Sequence, residues 1–289
     1  MNLSRRIALK WQVVGLGVLL IMAVIIWQQV WSQQANQYLT VNFFDVGQGD
    51  SIFIQTPDKK QILIDGGPTD AVLAKLGQAM GFFDRTIDLV ILTHPDSDHL
   101  NGLIEVLQKY QVAQILASPI KAASAGFSQW QQIVSEKKLT LINAQAGQEV
   151  KISPGITFAV VHPFGAGQSS KDTNQFSLVG RLCYCQVCFL LPGDLPEAQE
   201  KVLESTDFNL ASQVLKVAHH GSKTATGEAW LESIKPQLAI ISVGQDNKFG
   251  HPSPETLERL QQDVIKILRT DKDGDIKIKT DGYKLILGN

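Results

Sequence analysis

The sequence predicts an α/β protein with mixed sheets, two sheets packed face to face with helices outside, preceded by one apolar membrane-spanning helix. Three observations lead there. Apolar runs of strand length alternate with segments of helical periodicity along most of the chain. The early runs come as hairpins, whereas later ones have helices interposed, so parallel and antiparallel pairings mix. Val13–Trp27 is uninterrupted apolar sequence behind a basic start.

The N-terminal segment, residues 1–36, stands apart from a domain over 37–289. After Arg5, Arg6 and Lys10 no charged residue occurs until Asp45. Trp11 to Trp31 spans about 30 Å as a helix, the thickness of a hydrocarbon layer, with Trp at interfacial depth. Basic residues before the span put the N-terminus in the cytoplasm and the large domain outside it, as a single-pass membrane protein. The other reading is a cleaved signal peptide and a secreted domain. WSQQANQY (31–38) offers no A-x-A cleavage site.

In the domain, strand-like runs are LTVNFFDV (39–46), SIFIQT (51–56), QILID (61–65), IDLVILT (87–93), VAQILAS (112–118), ITFAVVH (156–162), FSLVGRLCY (176–184), VCFLLP (187–192), QVLKVA (213–218), QLAIISV (237–243) and three short ones after Val264. Helical periodicity appears around 69–80, 99–109, 128–137, 196–204, 226–234 and 254–262. The chain carries 26 basic and 28 acidic residues, a net charge of −2, and the three basic residues of the first 36 leave the domain more acidic still. A nucleic-acid partner therefore needs a local patch or metal ions rather than bulk charge. No low-complexity tract or solenoid repeat is present.

Cys183, Cys185 and Cys188 lie in CYCQVC, which reads as two strands and a tight turn. The cluster lacks the two separated pairs of a usual zinc site, and strand neighbours two apart are poorly placed for a disulfide. Buried, reduced side chains are expected. TDKDGDI (270–276) resembles a calcium loop, but twelve residues from Asp271 reach Gly282 rather than glutamate, so a hairpin turn is the better reading.

Chemistry concentrates at strand ends. THPDSDHLNG (93–102) places His94, Asp96, Asp98 and His99 within six positions directly after an apolar strand. Asp65 ends QILID, Asp194 follows VCFLLPG, and His219 and His220 follow QVLKVA. Strand ends are where a rigid sheet aims loop side chains at one point. His94 and Asp96 on extended backbone face one way, while Asp98 and His99 at a helix start face another. One loop thereby serves two metal ions, with Asp194 bridging and His219 capping.

At these residues the sequence resembles the metallo-β-lactamase superfamily. More narrowly it resembles the hydrolase domain of the ComEC/Rec2 competence proteins, through FFDVGQGDSIFI (43–54), LIDGG (63–67), THPDSDHLNG, TNQFSLVG (173–180), LPGDL (191–195), LKVAHHGSK (215–223), GHPSPETLERL (250–260) and LRTDKDGDI (268–276). The resemblance covers about 40–289 and implies an αββα four-layer sandwich with the site at the mouth between the sheets. It implies two divalent ions held by His94, Asp96, Asp98, His99, Asp194 and His219. It further points to DNA as the substrate. The reading is then a phosphodiesterase or nuclease in which Asp98 orients the attacking hydroxide, and His251 or a water protonates the leaving oxygen.

Departures from the family pattern matter. Asp96 stands where most members have histidine, and KDTNQFS (171–177) lacks the histidine many carry before the bridging carboxylate. Asn174 offers an amide oxygen there, and His162 is the nearest upstream imidazole. An oxygen-richer ligand set makes Mn as suitable as Zn. His220 and Ser222 are further metal or substrate candidates, and Asp45, Asp50 and Asp65 are candidates for supporting the ligands. His251, Asp65 and the glycines of DVGQGD each have a plain turn or loop role as the competing reading. A separate channel or competence proteins are candidate partners, since the competence proteins carry a multi-span channel and this chain has one apolar span. Two other function classes remain: a hydrolase of a small phosphodiester or an amide such as a β-lactam, and a non-catalytic DNA- or partner-binding domain.

Overall fold

The computed structural model describes residues 3–34, 37–81, 83–165 and 172–288. Residues 1–38 and 39–289 form two separate compact units. The first contains helix α1, Leu3–Gln34, whose side chains are described over 11–27 and are exposed throughout. Arg5, Arg6, Lys10 and Trp31 lie outside the residues whose side chains are described. Among the described residues no helix is long and apolar enough to cross a membrane.

The second unit opens with β1 (Leu39–Phe43), β2 (Ile52–Gln55) and β3 (Gln61–Ile64), an antiparallel meander. Helix α2 (Ala71–Ala79), β4 (Thr86–Leu92), α3 (Ser97–Lys109), β5 (Gln111–Ala117), α4 (Ala125–Glu136) and β6 (Thr140–Asn143) continue it as parallel β-α-β crossovers. The chain then builds a second sheet from β7 (Glu149–Ser153), β8 (Ile156–His162), β9 (Val179–Tyr184) and β10 (Val187–Leu191). Helix α5 (Glu197–Glu204), β11 (Val214–Lys216), α6 (Glu228–Ile234), β12 (Leu238–Ile241), α7 (Pro254–Gln262) and β13 (Lys266–Arg269) complete it. A short helix, α8 (Thr270–Asp273), returns the chain to the first sheet as β14 (Ile276–Thr280) and β15 (Leu285–Leu287). The spatial orders are β15-β14-β1-β2-β3-β4-β5-β6 and β13-β12-β11-β10-β9-β8-β7.

Period-two alternation assigns the faces. Val41, Phe43, Ile52, Ile54, Ile62 and Ile64 point from the first sheet into a core shared with Phe158, Leu182 and Phe189 of the second. The intervening Phe53 and Leu63 pack outward beneath α2–α4 with Leu76, Leu103 and Trp130. Leu190, Leu215 and Ile241 pack outward with Leu203, Trp230 and Leu260. Three apolar layers between two sheets and two helix sets give the αββα sandwich.

Two edge strands, β6 and β7, fall where the sequence showed no strand. TLIN is exposed at every position and EVKIS is exposed or half-buried. An edge strand keeps polar side chains and so loses the apolar run that marks an inner one. The cysteines also depart from expectation. Cys183 and Cys188 are direct cross-strand partners in the β9–β10 hairpin and form a disulfide, with Cα atoms 4.1 Å apart; Cys185 is free and exposed in the turn. The relevant pair was not the two same-strand neighbours but the residues the tight turn sets opposite each other.

All the parallel strands that matter end on one rim. Asp65, Thr93–His94, Asp194, His219–His220 and Ser242 follow the C-terminal ends of β3, β4, β10, β11 and β12, respectively. The loop carrying Asp50 is held down on α3: Asp50 N donates to Asp98 O, and a side chain at Gly49, whose φ is +147°, would meet that oxygen at 2.2 Å.

Candidate metal centre

Three imidazoles converge at this rim, each held by its Nδ1. Thr93 Oγ1 donates its single proton to Asp65 Oδ2 (2.6 Å) and therefore accepts from His94 Nδ1–H at 3.0 Å. His99 Nδ1 lies 2.7 Å from Asp65 Oδ2, and His220 Nδ1 donates to Ser242 O at 2.9 Å. With Nδ1 protonated and engaged, each neutral ring carries its lone pair on Nε2, the tautomer a metal ion needs. The Nε2 atoms of His94, His99 and His220 are all buried with no hydrogen-bond partner.

The carboxylates complete the cluster. Asp194 Oδ2 is 3.4 Å from His99 Nε2 and 3.3 Å from His220 Nε2, and Asp98 Oδ2 is 3.3 Å from His220 Nε2 and 4.0 Å from His99 Nε2. Ligands each about 2.0–2.2 Å from one ion, at angles near tetrahedral, sit roughly 3.3–3.6 Å apart. The spacings therefore fit donors around a divalent cation. Asp98, His99, Asp194 and His220 offer ligand atoms within 4.8 Å of one another, as do Asp50, Asp65 and His99. His94 Nε2 faces Asp96 Oδ2 at 3.8 Å, while Asp96 Oδ1 accepts the Thr173 hydroxyl.

Charge gives the same answer. Five carboxylates, Asp50, Asp65, Asp96, Asp98 and Asp194, meet three imidazoles and the Lys216 ammonium. Burial opposes protonated His99, but Asp194, Asp65 and Asp98 together outweigh it and raise that imidazole well above its usual value. Burial likewise opposes charge on His220, yet Asp194, Asp98 and Asp50 push it up to about 9. His94 goes the other way, held down by burial and by His99. Asp98 and Asp194 resist the effect of burial and are held low, chiefly by His99 and His220 respectively. Such a cluster calls for positive charge, and a divalent ion supplies it in exchange for protons.

Backbone strain coincides with the ligands. Asp65, His219 and His220 have φ of 55°, 49° and 53°, in the left-handed region, at a cost of about 1–3 kcal/mol each. The consecutive left-handed pair turns His220 inward and leaves His219 at the mouth. The sequence reading gave the capping role to His219; the structure puts His220 in the cluster, with His219 Nε2 3.9 Å from Asp194 and its side chain 30% exposed.

The other candidates divide. Asp50 joins the cluster through Lys216 and lies 3.6 Å from His220 Nδ1. Asp45 instead shapes its own turn, accepting from Gly47 N at 3.2 Å. His162 points elsewhere, its Nδ1 donating to Ser177 O at 2.8 Å with its ring against Phe164. Asn174 Oδ1 is buried without a partner, on the turn whose Thr173 holds Asp96. Ser222 Oγ is 3.0 Å from Thr224 Oγ1. His251 stands outside the cluster with its ring 5.7 Å from that of His219.

Lys216 is the residue sequence reasoning missed. It is fully buried, ion-paired to Asp50, and donates to Gly193 O (3.0 Å) and Asp194 Oδ1 (3.4 Å). All three ammonium donors are used, and Asp194 is left with Oδ2 facing the imidazoles. A signal existed: one lysine interrupts the otherwise apolar interior strand QVLKVA.

Glu200 of α5 supports this loop from behind, accepting from Thr226 N (2.7 Å) and Gly227 N (3.0 Å), while Thr226 Oγ1 accepts from Ala218 N. Burial outweighs the two N–H donors and pushes its carboxyl up to about 7, from an ordinary 4.5. The folded state thus binds a proton that the unfolded chain has released between those values. This contribution to stability is present at low pH and is lost as pH rises through about 7, by roughly 3 kcal/mol. Urea midpoints at pH 5 and pH 8 test it. Glu200→Gln is expected to flatten the fall seen in the parent chain, and equal slopes would refute the assignment.

A two-sheet αββα fold whose rim carries a histidine–aspartate metal cluster defines a metal-dependent hydrolase family. The family model of the metallo-beta-lactamase superfamily matches residues 44–245, and the chain belongs to that superfamily. Within it, the chain is similar to ComE operon protein 3 of Bacillus subtilis, at 32% identity over 83% of this chain and 33% of that one. It is also similar to competence protein ComA of Neisseria gonorrhoeae, at 28% identity over 82% of this chain and 32% of that one. The chain spans about a third of the length of these relatives. Among solved structures, CmlA, a diiron beta-hydroxylase from Streptomyces venezuelae, shares the fold with a TM-score of 0.55 and 11% identity, over 84% of this chain and 54% of that one.

Proposed function

We propose that this chain is a phosphodiesterase acting on DNA, dependent on two divalent ions, manganese or zinc. The observation that carries the metal dependence is the set of three buried, unpartnered Nε2 atoms, those of His99 and His220 facing Asp98 and Asp194 and that of His94 facing Asp96. Asp98, His99, Asp194 and His220 would hold one ion, and His94 and Asp96 would hold the other. Bound there, divalent ions supply Lewis acidity toward a phosphoryl oxygen and lower the pKa of water. Thr93, Asp65 and Ser242 keep the imidazoles in register, and Lys216 fixes Asp194. Asp98, 30% exposed in its side chain and beside the His220 and His99 imidazoles, would orient an attacking water. His251, held below its usual imidazole range by burial and by His219 and His220, would take a proton from a water at the mouth and pass it to the leaving oxygen. DNA as the substrate draws support from the likeness to a relative named a competence protein.

Localisation is part of the same reading: the apolar segment from Trp11 to Trp31, which extends past the residues 11–27 whose side chains are described, would anchor the hydrolase unit outside the cytoplasm. Val13–Trp27 is apolar on every side, and the Cys183–Cys188 disulfide suits an oxidising compartment. A separate channel protein is the partner this arrangement would serve. Retention of the full chain in the membrane pellet after alkaline carbonate extraction supports the anchor; release into the supernatant removes it.

The activity test uses the full chain in detergent, stripped of metal and reloaded with Mn²⁺, Zn²⁺ or Mg²⁺. Linear single- and double-stranded DNA should be cut in a metal-dependent way, with a loss of at least about 100-fold in Asp194→Ala. A folded, metal-loaded chain that cuts neither would point to a small-molecule hydrolase or a binding domain.

A further inference from the structure

We propose that Phe249 and Lys248 form a platform beside the metal centre that takes an unpaired nucleobase and its phosphate, selecting single-stranded nucleic acid. The inference deepens the phosphodiesterase reading and rests on it for the position of the scissile phosphate. A row of three rings leads outward from Asp194. His219 Nε2 is 3.9 Å from its carboxylate, the His251 ring lies 5.7 Å from that of His219, and the Phe249 ring is stacked on His251 at 5.8 Å and 26°. Phe249 is the outermost member and is 59% exposed.

A single exposed aromatic is ordinary; this one is held in place by its loop. Asn247 Oδ1 accepts from Phe249 N (3.2 Å) and His251 N (2.9 Å), while its Nδ2 donates to Gly244 O (2.9 Å) and His251 O (2.7 Å). Gly244 N in turn donates to Gln48 Oε1, which ties the loop to the DVGQG turn of the first sheet. The ring is thus presented on a fixed base while its surface stays in water.

Lys248 supplies the complementary charge, its ammonium 5.6 Å from the Phe249 centroid on an exposed side chain. The ammonium lies over the ring, and an exposed lysine can swing from the ring to a phosphate as a base stacks in its place, so the pair matches a base with its attached phosphate. Bases inside a duplex already have both faces stacked, so only an unpaired base can use the ring. The pairing also answers the domain's net negative charge, which denies it a general grip on nucleic acid.

The test measures binding apart from cutting. Metal-free full chain is titrated into a single-stranded oligonucleotide carrying 2-aminopurine, and fluorescence reports stacking. Phe249→Ala should weaken binding roughly 5- to 100-fold and abolish the quench, and Phe249→Trp should restore both. On an oligonucleotide with abasic positions, parent and Phe249→Ala should bind alike. Unchanged metal content of Phe249→Ala shows that the fold is intact. Equal binding and quench in the parent and Phe249→Ala would overturn the platform, even if the metal-loaded chain cuts DNA. Phe249-dependent binding by a metal-loaded chain that cuts nothing would keep the platform and remove the phosphodiesterase reading. No binding of either oligonucleotide by the parent would remove the platform as well.

Discussion

Lys216→Met is expected to destabilise the metal-free hydrolase unit by about 3–5 kcal/mol, the usual effect of removing one partner from a buried ion pair. Methionine nearly matches lysine in length and fills the same space, so cavity formation is not the cause. The loss is electrostatic. The ammonium has no exposed surface and spends its three donors on Asp50, Gly193 O and Asp194. Burial works against its charge, but Asp50 and Asp194 outweigh it and raise its pKa. Without it Asp50 loses its ion pair and Asp194 the donor on Oδ1, and the imidazoles alone are left to balance the two buried carboxylates. Saturating divalent metal should return part of the stability, because an ion bound only to the folded state supplies positive charge at the same place. Urea midpoints with and without metal measure both effects. Equal midpoints for the parent and Lys216→Met, both metal-free, would show that the pair carries no weight.

His220→Ala is expected to weaken metal binding by two orders of magnitude or more, against a few-fold at most for His219→Ala. The scale follows from the roughly 10- to 100-fold losses seen when residues that merely support metal ligands are removed. The difference between neighbours comes from backbone geometry. Successive left-handed residues send the His220 ring inward, where Nε2 is buried beside Asp98 and Asp194. His219 stays at the mouth against His251. Calorimetric titration with Mn²⁺ and Zn²⁺ reads the affinities directly, and the reverse order would return the capping role to His219.

Much of this was legible in the sequence where burial and polarity were sharply opposed. Inner strands such as QILID and IDLVILT announced themselves by apolar runs, and the carboxylates and imidazoles at their ends stood out against them. Polar edge strands such as TLIN gave no such contrast. The choice between His219 and His220 was hidden because it depends on φ at two residues, which residue type does not encode. The disulfide was missed because its partners lie across a turn rather than along one strand. Lys216 was overlooked for the opposite reason: a lone charge in an apolar strand is informative, yet its partners, Asp50 and Asp194, are 166 and 22 residues away in the chain.

Metal analysis of the purified full chain, after incubation with Mn²⁺ or Zn²⁺ and removal of free ion, tests the centre most directly. Up to two divalent ions per chain are expected, lost on Asp194→Ala while the fold persists. A folded parent chain that retains no divalent ion would contradict it, and the three Nε2 atoms would need another partner.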